Sequence, residues 1–147
     1  MEQRRFFNPT QPQTLQVAVF LLYANVVVGL LFRTGNQGEF TLAVLSLLRS
    51  AGALDTARLL GNLLAAAFLA GSAAAAYLIA NEKRIGWRLG VVAAAAPLVA
   101  LAIILTIGYP RRAGLGDIEY ISFLFDVALL ALLLHTQTRA YEKVWFK

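Results

Sequence analysis

Four long apolar runs, separated by polar connections, occupy most of the chain. They cover residues 14–32, 55–80, 86–108 and 117–135. Each run is close to the roughly 20 residues that a helix needs to cross about 30 Å of hydrocarbon, at about 1.5 Å per residue. The pattern predicts an all-α, integral membrane four-helix bundle, in which residues 1–147 form a single four-span transmembrane domain.

The first connection has an apolar pattern of its own. Residues 40–52 read "FTLAVLSLLRSAG", which is enough for about three helical turns and too short to span a bilayer. We expect a short helix here, either lying in the membrane interface or entering the membrane and returning on the same side. The alternative is that this segment extends the second span as one long tilted helix.

The second and third runs should form an antiparallel hairpin. The connection "NEKRIGWR" between them is short enough to require a tight turn. Small side chains in "AAAFLAGSAAAAY" and "GVVAAAAP" would let the two backbones approach closely; the alternative is that the alanine content reflects coding bias alone. Pro97 lies near the middle of the third run and removes the hydrogen bond to the Ala93 carbonyl, which predicts a helix kink.

Composition agrees with a membrane protein and narrows the chemistry. The chain is 59% hydrophobic and 14% charged, with a mean hydropathy of +0.67. It has no cysteine and one histidine, His135, so thiolate and two-histidine metal sites are excluded. It also lacks a zinc-protease motif and a glycine-rich phosphate loop. We expect a non-enzymatic protein with no cofactor and no metal.

The basic residues predict the orientation of the spans. The side that holds both ends of the chain would carry Arg4, Arg5, Lys83, Arg84, Arg88, Arg139, Lys143 and Lys147, and the other side Arg33, Arg49, Arg58, Arg111 and Arg112. Because basic residues concentrate on the cytoplasmic side, both termini should be cytoplasmic, in a bacterial cytoplasmic membrane. The net charge of +5 is then explained by topology and by contact with anionic lipid headgroups, without a nucleic-acid partner.

Basic and aromatic residues also flank the ends of the runs. Aromatic rings favour the headgroup zone, and basic side chains extend toward it. We therefore expect interfacial anchors that either lie along the cytoplasmic interface or dock on a partner. These residues are Arg4, Arg5, Trp87, Tyr141, Lys143, Trp145 and Lys147.

Polar or small residues recur at helical spacing in three of the runs. The stripes consist of Asn25, Gly29 and Arg33 in the first run, Asp55, Arg58 and Asn62 in the second, and Glu119, Ser122 and Asp126 in the fourth. Because polar groups avoid lipid, the stripes should face one another. They predict a polar pocket lined by Asn25, Arg33, Arg58, Asn62, Glu119, Ser122 and Asp126, with Asp126 at its floor and Asn25 as its hydrogen-bond partner.

Asp126 admits three interpretations. It can bond helices together inside the bundle or against a partner, act as a proton- or cation-coupling carboxylate in a small homo-oligomeric transporter, or help to bind a lipid headgroup or a quinone. We expect the first, in an accessory or structural subunit of a larger membrane complex. The expected partners are membrane lipids together with a protein within the membrane or further copies of this chain.

Overall fold

A computed structural model of the chain describes residues 5–32, 37–48, 51–107 and 117–147. This part of the chain contains six α-helices, one short 3-10 turn and no strand, which confirms the predicted all-α class there. The α-helices are α1 (Gln13–Phe32), α2 (Gln37–Leu48), α3 (Leu54–Ala80), α4 (Arg84–Ile107), α5 (Asp117–Leu134) and α6 (Thr136–Trp145), and the 3-10 turn is Ala51–Ala53.

The long helices coincide with the apolar runs. Both ends of α1, α3, α4 and α5 lie within two residues of the predicted boundaries. Within the described ranges, α1, α3 and α4 are long and apolar enough to cross a membrane. Residues 122–134 of α5 meet that criterion only together with α6, from which they are bent by 50°. Three to four helices of this kind suggest a membrane protein.

The segment between the first two runs forms a separate helix. The 12 residues of α2 end before the 3-10 turn at Ala51–Ala53, so the alternative of one long extension of the second span is wrong. α2 packs on α3 and α4, where the rings of Phe40 and Phe68 have centroids 6.0 Å apart. The contact is close, because a Cβ added at Gly61 would lie 2.8 Å from the backbone of Thr41.

The other long helices form a bundle with a definite order. α1 packs on α3 and α5, and α4 also packs on α3 and α5, so the order around the bundle is α1, α3, α4, α5. The main core of the described residues draws on all four of these helices. It includes Leu15, Val19 and Leu22 of α1, Ala75 and Ile79 of α3, Ala94 of α4, and Leu129 and Leu133 of α5. A second cluster, around Phe40 and Phe68, lies beneath α2.

Small residues line the contact between α3 and α4. A Cβ added at Gly90 of α4 would lie 3.3 Å from Ile79 Cδ1 and 3.7 Å from the Cβ of Ala75 in α3. Ala75, Ala76 and Ala94 are fully buried in the same core cluster. At Gly86 an added Cβ would lie 2.7 Å from the Ile79 nitrogen, so the two backbones nearly touch. This close approach supports the packing interpretation of the alanine-rich runs.

Alanine substitutions at two glycines should separate close packing from helix propensity. Gly86→Ala should destabilise the protein by about 1–3 kcal/mol, because the new methyl group meets backbone that cannot move cheaply. At Gly71 the nearest atom is Leu89 Cδ1, 4.0 Å away. Gly71→Ala should therefore be neutral or stabilising by up to about 1 kcal/mol. Thermal unfolding of both variants in one detergent is the measurement, and equal stability would contradict the close approach at Gly86.

Candidate functional site

Asp126 lies on the buried face of α5. Its side chain is 3% exposed, and the same face continues through Leu129 and Leu133, which are 1% and 0% exposed. These positions are three and seven residues apart and therefore share one side of a helix. The neighbouring Phe125 and Val127 are exposed. The structure thus places this carboxyl group inside the bundle rather than on its apolar surface.

Asp126 shares its level in the bundle with Pro97. A Cβ added at Gly90 of α4 would lie 3.4 Å from Leu133 Cδ1, so these two residues are neighbours on antiparallel helices. Asp126 precedes Leu133 by seven residues and Pro97 follows Gly90 by seven, and each interval advances about 10 Å along its helix. Pro97 is buried inside α4, which runs through it as one helix, and the predicted kink stays a prediction. A proline within a helix leaves one carbonyl of the preceding turn without its usual donor.

Two predicted pocket residues lie elsewhere. Arg58 is 64% exposed, with Nη1 4.0 Å from the fully exposed carboxylate of Asp55. Asn62 is also exposed and accepts a hydrogen bond from the side chain of Gln37 in α2. The first turns of α3 therefore present these polar residues to α2 and to the surface, and the structure does not bring Arg58 or Asn62 to Asp126.

The remaining pocket residues divide into two groups. Asn25 and Ser122 are half-buried, on α1 and α5, which pack against each other. Ser122 lies one helical turn before Asp126 on the same face of α5. Arg33 and the side chain of Glu119 lie outside the described residues. Ser122 and Asp126 thus share one face of α5, and Asn25 lies on the neighbouring helix α1; the predicted hydrogen bond between Asn25 and Asp126 stays a prediction.

A larger set of polar contacts lies at one end of the bundle. We call this the hairpin end, because it holds the turn between α3 and α4. Asn81 in that turn accepts a hydrogen bond from the Arg5 N–H at 3.0 Å and donates one to the Arg5 carbonyl at 2.7 Å. Gln11, which is buried, donates to the Ile79 carbonyl at 2.7 Å. Residues 5–12 are thereby held against the end of α3.

Glu82 joins three parts of the chain. Its Oε1 accepts hydrogen bonds from Asn8 Nδ2 at 3.1 Å and from the Tyr141 hydroxyl at 2.8 Å. Its backbone carbonyl accepts from Lys147 N at 3.0 Å, and Arg84 N donates to the Lys147 carbonyl at 2.9 Å. Glu82 has a φ of 58°, in the left-handed region, which gives the compact turn. The segment before α1, the turn and the segment after α5 meet at this residue.

The bend between α5 and α6 has bonding partners of its own. Thr138 is fully buried, and its hydroxyl donates to the Leu132 carbonyl at 2.8 Å and lies 3.0 Å from the Thr14 hydroxyl. The indole N–H of Trp87 donates to the Leu133 carbonyl at 2.9 Å. The Leu132 carbonyl also accepts from His135 N at 3.3 Å, and the Trp87 N–H supplies a donor at the end of α5, where helical carbonyls lack their usual partners. Thr138 and Trp87 therefore hold the bend between α5 and α6 in place.

The predicted anchors take different positions at this end. Trp87 and Tyr141 are half-buried and use their polar atoms inside the protein, whereas Lys143, Trp145 and Lys147 have exposed side chains. Arg5 is also exposed, and Arg4 lies outside the described residues. Sequence reasoning missed the bonding role of Glu82, Asn8 and Asn81. The available signal was an acidic residue in a basic turn, together with amides ahead of α1.

Comparisons with known proteins give no guide to this arrangement. No protein family, no curated protein and no solved structure matches the chain. What the chain does is therefore inferred from its own residues.

Titration of Tyr141 offers a test of the Glu82 contact. The pKa of Tyr141 is raised from 10.0 to about 12. Burial is the largest cause, and the hydrogen bond from the hydroxyl to Glu82 and the charge of that carboxylate also raise the pKa, whereas a hydrogen bond with Thr10 lowers it. The folded protein thus holds this proton more tightly than the unfolded chain does. Its contribution to stability is complete below pH 10 and is lost as the pH rises toward about 12.

Tyr141→Phe should therefore have a pH-dependent effect. Near pH 8 the variant should be less stable by about 1.5–3 kcal/mol, the usual contribution of a hydrogen bond to a charged group. Between pH 10 and 12 the difference from the unmodified protein should shrink. Melting temperatures measured stepwise across this range in one detergent provide the test, and a constant difference at all pH values would contradict the assigned contact.

Proposed function

We propose that the chain is a non-enzymatic integral membrane protein and serves as an accessory or structural subunit of a larger membrane complex. The observation that carries this proposal is the large number of exposed apolar side chains on every long helix. They include Phe20 and Leu31 on α1, Leu59 and Leu63 on α3, Val92 and Leu105 on α4, and Leu124 on α5, with exposures from 58% to 72%. A surface of this kind is unfavourable in water and suits lipid or a neighbouring membrane protein.

The position of the chain ends supports one orientation. Asn8 and Lys147 both bond to Glu82, so the segments before α1 and after α5 lie at the same end of the bundle. In a membrane this end would face a single side. The excess of basic residues there favours the cytoplasm, in a bacterial cytoplasmic membrane.

A structural role agrees with how the described polar groups are used. The amides of Asn8, Gln11 and Asn81 and the carboxylate of Glu82 all bond within the chain. Gly86 and Gly90 of α4 let this helix pack closely on α3. Such a bundle is held firmly at one end while its sides stay available to a neighbouring subunit.

Isolation of the intact assembly tests the accessory role. The tagged chain, produced at its natural level, would be purified from native membranes in a mild detergent beside an unrelated membrane protein with the same tag. We expect a complex larger than the chain or its small oligomers, containing another membrane protein in fixed stoichiometry and absent from the control. Recovery of the chain only as a monomer or homo-oligomer would overturn the proposal.

The burial of Asp126 supports a second candidate function. A carboxylate near the middle of a spanning helix costs about 2.5–3.5 kcal/mol on insertion scales, so it is expected to have a role. At 3% exposure it lies within the bundle, where a proton- or cation-coupling group of a homo-oligomeric transporter would also lie.

Two substitutions at Asp126 distinguish these functions. For a structural subunit, Asp126→Asn should be nearly silent, because asparagine keeps the size and hydrogen-bonding capacity. Asp126→Leu should cost about 1 kcal/mol, roughly one hydrogen bond, or release the partner. For a coupled transporter, both variants should lose flux in proteoliposomes, and Asp126→Asn should do so without losing stability.

The exposed neighbour Val127 provides the control for these substitutions. Val127→Leu should change neither melting temperature nor flux, because its side chain points away from the buried face. A stable, partner-bound and fully active Asp126→Leu protein would contradict both assigned roles of the carboxyl group.

A further inference from the structure

Exposed basic side chains gather where the start of α4 meets α6. Arg84 and Arg88 are one helical turn apart on α4, and Arg139 and Lys143 are one turn apart on α6. Arg84 Nε lies 2.9 Å from Glu142 Oε1, so the two helices are adjacent here. We call these four basic residues the α4–α6 corner.

The corner carries an excess of positive charge. Two acidic groups lie nearby: Glu142 pairs with Arg84, and Glu82 accepts hydrogen bonds from Asn8 and Tyr141, so the four basic residues outnumber the acidic ones by two. Arg88, Arg139 and Lys143 are exposed and form no ion pair with any described residue. Three cations are thus left facing the surroundings.

Exposed apolar surface begins directly beside these cations. On α4, Val92 and Val99 follow Arg88 on the same side of the helix, with exposures of 64% and 56%. Leu134 at the end of α5 and Trp145 on α6 are also exposed, at 44% and 57%. Because α6 is bent by 50° from α5, its basic residues stay at the hairpin end instead of continuing along the span.

We propose that the α4–α6 corner binds the headgroup of an anionic phospholipid, with an acyl chain lying along the Val92 side of α4. Guanidinium groups bind phosphate oxygens through paired hydrogen bonds, and lysine adds a point charge. The adjoining apolar stripe favours a lipid over an acidic soluble partner, which would leave that stripe uncovered. This inference rests on the proposed membrane location and is independent of any protein partner.

The test measures lipid preference directly. The purified full-length chain in detergent would be titrated with phosphatidylglycerol and with phosphatidylcholine, and bound lipid would be counted by native mass spectrometry. We expect phosphatidylglycerol to bind about tenfold more tightly or better, and the preference to weaken as salt is raised. Equal binding of the two lipids would overturn the proposal.

Charge-removing variants locate the site. Arg88→Gln combined with Arg139→Gln should reduce the preference to about twofold or less, because both side chains would lose their attraction to phosphate. Their exposure predicts an unchanged melting temperature. The matched control is Arg58→Gln, since Arg58 is also exposed but sits near the start of α3, at the other end of that helix from the hairpin turn. It should keep the full preference. A double variant that also keeps it would overturn the assignment.

Two further outcomes bear on the source of the phosphate and on the membrane location. Inorganic phosphate at millimolar concentration should not displace the lipid, because it lacks the chain that contacts α4; effective displacement would overturn the lipid assignment. Alkaline carbonate should leave the chain in native membranes. Extraction without detergent would overturn the proposed membrane location, whereas a firmly inserted chain with no lipid preference would overturn this inference alone.

Discussion

The contact between α3 and α4 determines most of the remaining structure. At Gly86 the backbones of α3 and α4 are so close that one added methyl group would clash with the Ile79 nitrogen. The short turn at residues 81–83 is possible because of this close approach. The turn exposes amide and carboxylate groups that residues 5–12 and α6 then bond. The groove between α3 and α4, away from the turn, is occupied by α2. A wider spacing of the hairpin would displace all three.

Polar groups are distributed unevenly along the bundle, and physical cost explains why. At the hairpin end, water or headgroups can complete any hydrogen bond that the chain leaves open, so a dense network is inexpensive to assemble there. Midway along the helices an unpaired polar group is costly. Asp126 lies in that region of the bundle, where its burial removes it from the apolar surface.

Helix positions were readable from the sequence, whereas helix rotations were not. Runs such as 55–80 give boundaries because their length matches a fixed hydrocarbon thickness. Periodicity also placed Arg58 and Asn62 on one side of α3, but an almost uniformly apolar helix carries little information about which neighbour that side faces. The pocket prediction did not include α2, which packs on α3 and bonds to Asn62 through Gln37. The contacts of Asn8, Gln11 and Arg5 join residues 68 to 76 positions apart, which no local pattern records.

The distance along the chain between these bonded residues determines the order in which their contacts can form. Residues 5–12 are made before their partners at Ile79, Asn81 and Glu82, which follow α1, α2 and most of α3. These contacts therefore cannot form until the end of α3 and the turn after it have been made. Contacts between distant segments form slowly because the intervening loop must first close. An intermediate that contains α1 and α2 but not the end of α3 and the turn after it would therefore leave the side chains of Asn8 and Gln11 without these partners.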